Sequence, residues 1–331
     1  MGFMLPRTQR SARKGLRISL LALACPMLVG AVALLTGSRG ARAEGAEGDK
    51  AETSERCAIR ISIALQGKSA DAALLASPDP QAAVDGMLAS PEFADRYARF
   101  INAEFNGGPS TSATDDPVYY LAKHVVTQQL PWSELFLGGY SITASATAMD
   151  VKEDPDGLGY FHSPSWMKRY AGNEDKGYML VGAFRILSNT TGLELNASVG
   201  NPGEDRTATG RSATACKSCH FDDWYALDKF ARLLPKKKGQ GDAMTFTAPT
   251  EGPQQLLGKT LASDKELVAS LVDSDAWRFA QCHNVFKFLY GRGENQCEAK
   301  VFDACVDALV SQKTIQSAVA AVAKDPSFCV K

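Results

Sequence analysis

Histidine is scarce in this chain: His124, His162, His220 and His283 are the only four in 331 residues. No two of them stand in an H-x-x-x-H or H-E-x-x-H pattern, which excludes helical zinc sites built on that spacing. No G-x-S-x-G elbow and no Walker loop is present, so the common hydrolase and nucleotide-triphosphatase signatures are missing too. No strand signal persists and no segment repeats at a fixed period, which argues against sheet sandwiches and solenoids. Cysteine is sparse, with eight residues, and a single C-x-x-C leaves a zinc ribbon without its second half.

Basic residues are also few once the first 43 residues are set aside. That segment holds seven of the 36 Lys and Arg and none of the 37 Asp and Glu, leaving 29 basic against 37 acidic residues, a net of −8. Such an acidic chain is a poor partner for nucleic acid or an anionic membrane surface. The segment itself reads as a Sec-type signal peptide, residues 1–43. Arg7, Arg10, Arg13, Lys14 and Arg17 form its basic part, Ile18 to Leu35 its apolar part, and Ala41-Arg42-Ala43 a small-x-small cleavage site. The alternative is an uncleaved membrane anchor, because the apolar run is about long enough to span a bilayer. Cys25 follows Ala22-Leu23-Ala24, but apolar residues continue well past it, so a lipoprotein site is discounted. The expected location is periplasmic or secreted.

One motif is sharp. Cys216-Lys217-Ser218-Cys219-His220 reads C-x-x-C-H, the attachment site of c-type haem. Thiols three residues apart on a helix project from one face and can each add to a porphyrin vinyl group. His220 lies one turn beyond Cys216 and is placed to be the proximal iron ligand. Two plainer readings stand beside it: half of a zinc site, or a thioredoxin-type redox pair.

The other elements read mostly as helices. Residues 44–55 are small, polar and charged and read as a disordered tether. Ile59, Ile61, Ile63 and Leu65 alternate like a strand, but their neighbours allow a helix, which is the reading adopted. Asp79-Pro80 and Ser90-Pro91 open helices at about Gln81 to Ala89 and Glu92 to Phe105. On the second, Phe93, Tyr97, Phe100, Ile101 and Phe105 share a face, either ordinary core or a wall of the haem pocket. Further helices are expected at Val118 to Leu130, Pro131 to Phe136, after Ser163-Pro164, and over Gly177 to Leu187. Residues 138–160 and 189–210 read as irregular, the latter leading into a haem helix near Thr214.

Asp222 to Leu234 is amphipathic through Trp224, Leu227, Phe230 and Leu233, and Lys236 to Pro253 is a polar loop containing Met244. Ser263-x-x-Glu266 is a capping box, Ser274 caps a helix ending at Tyr290, and two helices at about 298–310 and 314–323 finish the chain. The fold expected is all-α, a multi-helix cytochrome-c-type protein with long irregular loops. An N-terminal helical region covers 56–210, and a haem-attachment and C-terminal helical region covers 211–331.

Three stretches and the closing helix resemble the planctomycete-type secreted cytochromes, in which tandem domains of unknown function surround a single C-x-x-C-H. They are GMLASPEFADRYARFINAEF at 86–105, PWSELFLGGYSITAS at 131–145, GLGYFHSPSWMKRYAG at 157–172 and FAQCHNVFKFLYGRG at 279–293. The chain departs from the family at Asp222-Asp223-Trp224-Tyr225, where the family has DPLG, and in lacking most of a Pro-rich run before the motif. The resemblance implies an exported haem protein that carries electrons, and it supplies no substrate.

The second iron ligand is open on the sequence: His162 before the motif, Met244 after it, or a site that is open or filled by another ligand. His283, beside Cys282, suits a surface or core role better. Cys57, Cys282, Cys297, Cys305 and Cys329 remain for disulfides, an odd number. The local guess is Cys282–Cys297 with Cys305–Cys329, and Cys57 could displace one of them. Lys236-Lys237-Lys238 either steers an acidic redox partner or is a solvated run. Three functions are weighed: a monohaem electron carrier, which is favoured; a peroxidase- or oxidase-like haem enzyme with an open distal face; and a haem sensor.

Overall fold

The computed structural model describes residues 41–330 other than 109, 111, 175, 195–204, 223 and 224. The signal-peptide expectation therefore falls, but for residues 41–43, outside the described residues, as does Trp224. The chain is mostly helical, 59% helix against 8% strand. The described residues also contain three two-stranded antiparallel hairpins, two of them in the stretches expected to be irregular, 138–160 and 236–253.

Helix α1 spans Ala41–Gln66. The tether expected at 44–55 lies inside it, because Ala, Glu and Lys, which made that stretch look soluble, are also strong helix formers. The alternating isoleucines resolve as two i,i+4 pairs. Ile61 and Leu65 are buried, whereas Ile59 and Ile63 face outward. After α2 (Ala72–Leu75), a 3-10 turn from Pro80 runs into α3 (Val84–Leu88). Ser90 accepts a hydrogen bond from the Phe93 N–H and starts α4 at Pro91, which continues to Asn106. The aromatic face of α4 is core: Phe93, Tyr97, Ile101 and Phe105 are buried, with rings packed on Trp132, Phe136, Tyr160 and Phe288.

Helices α5 (Pro117–Thr127) and α6 (Glu134–Leu137) precede a hairpin of β1 (Tyr140–Ala144) and β2 (Met149–Glu153). Helices α7 (Pro164–Arg169), α8 (Leu180–Thr191), α9 (Ala208–Arg211), α10 (Thr214–His220) and α11 (Leu227–Leu233) follow. The expected polar loop carries β3 (Lys236–Lys238) paired with β4 (Thr245–Thr247); next come β5 (Gln254–Leu256) and β6 (Lys259–Leu261). Leu257 and Gly258 both take positive φ in the two-residue turn between β5 and β6, the geometry that matches strand twist.

Ser263 accepts from the Glu266 N–H to open α12 (Asp264–Val272), and Ser274 accepts from Trp277 N–H to open α13 (Asp275–Tyr290). Helices α14 (Ala299–Gln312) and α15 (Ile315–Ala323) match expectation, and a last helix, α16 (Pro326–Val330), does not.

The core is continuous across the boundary drawn at residue 210, since α8 packs against α11, α12 and α13. Trp132 Nε1 donates to buried Gln281 Oε1 at 2.9 Å, tying the two halves by one satisfied polar contact. Among the described residues no helix is long and apolar enough to cross a membrane.

The disulfides differ from the local guess. Cys57 pairs with Cys329 (Cα–Cα 4.8 Å) and Cys282 with Cys305 (6.0 Å), while Cys297 is exposed and unpaired. The reason is helix geometry. Cys282 sits eight residues before the end of α13, about 12 Å back along the axis, whereas Cys297 lies in the turn beyond that end. Cys305, two turns into antiparallel α14, is level with Cys282. The short α16, not foreseen, carries Cys329 to α1.

Candidate functional site

The C-x-x-C-H motif forms helix α10, as its spacing requires. The approach to it is built tightly. Asp205 accepts from the Thr207 N–H at 2.9 Å in a turn, and Gly210 passes so close that a Cβ there would collide with the Asp205 carbonyl oxygen. That contact seats α9 and turns Arg211 inward, where it is 7% exposed.

Arg211 donates to Asp228 through Nε (3.0 Å to Oδ2) and Nη2 (2.7 Å to Oδ1), a two-pronged pair in which Asp228 is 4% exposed. Nη1 donates to the Arg206 carbonyl at 2.5 Å, and Nη2 also lies 3.5 Å from Glu174 Oε1. Asp228 Oδ2 is shared with His220, whose Nδ1 lies 2.8 Å away. Burial pushes the Asp228 carboxyl up, but hydrogen bonds from His220 and Arg211 and the guanidinium charge outweigh it and hold it below the usual carboxylate value. Asp228 therefore accepts and Nδ1 of His220 donates, which leaves Nε2 as the ring nitrogen not engaged by the carboxylate. A ligating histidine is commonly oriented by a carboxylate in this way.

Ala226, between the motif and Asp228, has φ 28° and ψ 44° and is buried. A non-glycine residue in the left-handed region is strained, and such strain persists only where surroundings impose it. Here it starts α11 abruptly. Asp228, in the first turn of α11, then faces back to the end of α10.

The face of α10 that carries Cys216, Cys219 and His220 is only half-covered. Alone among the described α-helices, α10 buries no residue; the three motif side chains are its least exposed positions, and its other residues are exposed. A seven-residue helix without a buried face has little to hold it. The two thiols are unpaired although four other cysteines form disulfides. Two free thiols, an imidazole whose Nε2 is free to bind and a face left open by the rest of the chain fit a covalently attached haem. The redox-pair reading fits less well. For a thioredoxin-type pair a strand would lead into the motif, whereas the element before α10 is helix α9.

Other expected site residues are placed as follows. Both ring nitrogens of His162 are engaged, Nδ1 with the Asp156 carbonyl at 3.1 Å and Nε2 with Asp264 Oδ2 at 2.8 Å. Burial lowers its pKa, yet Asp264 outweighs burial and raises it above the ordinary imidazole value. Met244 follows a 3-10 turn at the tip of the β3–β4 hairpin and is half-buried. His283 Nδ1 pairs with Glu294 at 2.7 Å, and the His124 ring packs edge-on against Tyr140. Two lysines of the basic run are committed locally: Lys237 Nζ donates to the Gly172 carbonyl at 2.7 Å, and Lys236 lies over the Tyr178 ring. Lys238 is exposed.

Sequence reasoning missed Asp228, Arg211 and Glu174. Asp228 looks like an ordinary first-turn acid of a helix, and Arg211 sits in a Gly- and Thr-rich stretch; no spacing rule links either to His220. Compared with models of protein families, with curated proteins and with solved structures, the chain matches none.

Proposed function

We propose that the protein is an exported monohaem c-type cytochrome that transfers electrons, with Cys216 and Cys219 as thioether anchors and His220 as the proximal ligand. The observation that carries this reading is the His220–Asp228 contact, which presents one imidazole nitrogen on the same helical face as two free thiols. Haem held there supplies a one-electron iron couple. Of the two candidate distal ligands, Met244 is the better: His162 would give up two hydrogen bonds, one to a carboxylate, whereas a thioether has none of that strength to lose. The two disulfides agree with an oxidising compartment. The expected partner is a redox protein, not nucleic acid.

Expression in a host that matures c-type cytochromes tests this. Haem should stay on the chain through acid-acetone extraction, intact mass should show one haem on a chain starting near Glu44, and both redox states should be low-spin with little carbon monoxide binding. Complete extraction of the haem defeats the reading. The second reading, a haem enzyme, has one observation in its favour: a carboxylate on the proximal imidazole also suits an iron that activates peroxide. High-spin iron, ready carbon monoxide binding and peroxide decomposition would replace the carrier by the enzyme.

A further inference from the structure

The sequence motif needs only two thiols and a histidine, but the structure adds a buried charge system behind the histidine. Its hydrogen-bond chain runs His220 to Asp228 to Arg211 to Glu174, with side chains of Asp228, Arg211 and Glu174 all at least nine-tenths buried. Two carboxylates share one guanidinium, so the group carries one net negative charge. Asp228 is the carboxylate that touches the imidazole; Arg211 does not touch the ring and donates to the same carboxylate, through Nη2 to Oδ1 and through Nε to the Oδ2 that His220 shares. In surroundings shielded from water that order matters, because charge acts strongly over short range there. A negative group on Nδ1 makes Nε2 a better electron donor, and the better donor stabilises ferric over ferrous iron.

The group is also held in place more firmly than a surface pair would be. The strained Ala226 fixes the start of α11, and the Gly210–Asp205 contact fixes Arg211. The two middle members of the chain of contacts, Asp228 and Arg211, are thus each positioned by the backbone just before them.

Resting on the cytochrome reading, we infer that Asp228, held by Arg211, is a positioning residue that lowers the reduction potential of the haem bound at His220. Removing the partner of a metal-bound histidine typically costs tenfold to a hundredfold in metal affinity, a cost that falls on the ferric state when the lost partner is a negative charge. As a one-electron equilibrium at 59 mV per decade, that is about 60 to 120 mV.

The test is redox titration of the holoprotein and its variants. Asp228→Asn keeps shape and a hydrogen-bond acceptor but loses the charge, and should raise the midpoint by about 60 to 120 mV. Asp228→Glu should return it towards the parent. Asp95→Asn removes a paired carboxylate on α4 and should move the midpoint by less than a third as much. An Asp228→Asn protein that is merely less stable, with an unchanged midpoint, overturns the inference and leaves the cytochrome reading intact. If that variant yields no holoprotein, the parent decides. With 15N-labelled histidine, the Nδ1 proton of the iron-bound ring, identified by its shift on oxidation, should be protected from solvent exchange. Exchange as fast as free imidazole overturns the inference. A parent without covalent haem removes both this inference and the cytochrome reading.

Discussion

Helices α13 and α10 are held in opposite ways. Helix α13 is sixteen residues long, is capped by Ser274, ends at Gly291, buries eight side chains and carries a disulfide to α14. Helix α10 is seven residues long, has no side-chain cap and buries nothing. The first is stabilised by its own chain through apolar burial and cross-linking. The second is tied back by His220 on Asp228, and the half-covered face that carries Cys216, Cys219 and His220 is the least exposed it has. The teaching of the pair is that a segment's lack of internal support is information about what binds it.

The largest test of that contrast removes the cross-link that closes the well-packed part. Cys57→Ser with Cys329→Ser opens a loop of 272 residues and should lower stability by about 5 kcal/mol in the chain-entropy picture, read by urea unfolding under oxidising conditions. Opening the 23-residue link with Cys282→Ser and Cys305→Ser should cost about 3 kcal/mol. Amide exchange should then speed up roughly a hundredfold in α13 and α14 and stay as it was in α10. If α10 responds equally, the two regions are not independently supported.

A smaller and local effect is expected when the anchors go. In Cys216→Ser with Cys219→Ser, α10 amides should exchange roughly tenfold faster or more than in the holoprotein, because an isolated helix of this length is marginal, while α13 is unaffected. Equal protection with and without haem would mean that α10 holds itself, and the contrast fails.

The smallest effect concerns His162, which lies in neither helix but docks on Asp264 at the start of α12. Its pKa is raised above the ordinary 6.5. The charged pair therefore contributes stability fully below about pH 6.5, and that contribution is lost as pH rises through the raised value. His162→Gln should destabilise more at pH 5.5 than at pH 9, as measured by thermal unfolding across pH. Its haem spectrum should match the parent's, whereas Met244→Ala should change it.

Much of the helical frame was legible because its punctuation is local. Ser90-Pro91, Ser163-Pro164, Ser263-x-x-Glu266 and Ser274 each open a helix where the residues alone placed it. The hairpins were not, since a strand as short as Lys236-Lys237-Lys238 has too few residues to show alternation and owes its form to Gly177, whose carbonyl accepts from the Lys237 N–H. That the C-x-x-C-H motif is helical was equally plain, because its spacing is a single-turn requirement. What lies behind His220 was not. Asp228 reaches it only because a strained alanine turns the chain back, and nothing in the residue types around position 226 announces that bend. The disulfides failed for a related reason: proximity in sequence favoured Cys297, but rigid helices bring together residues at equal height.

The Cys57–Cys329 link has one more consequence. It joins the first described helix to the last, so the 271 residues between them form a covalent ring. A ring cut once is still one molecule. A protease that nicks the exposed run from Gly239 to Gly241 separates no fragment, and the part that carries α10 stays tethered to the rest of the core. On a denaturing gel such a nicked protein migrates as one band without reductant and as two with it. Joining the first described helix to the last turns a cut that would release a piece into a local injury.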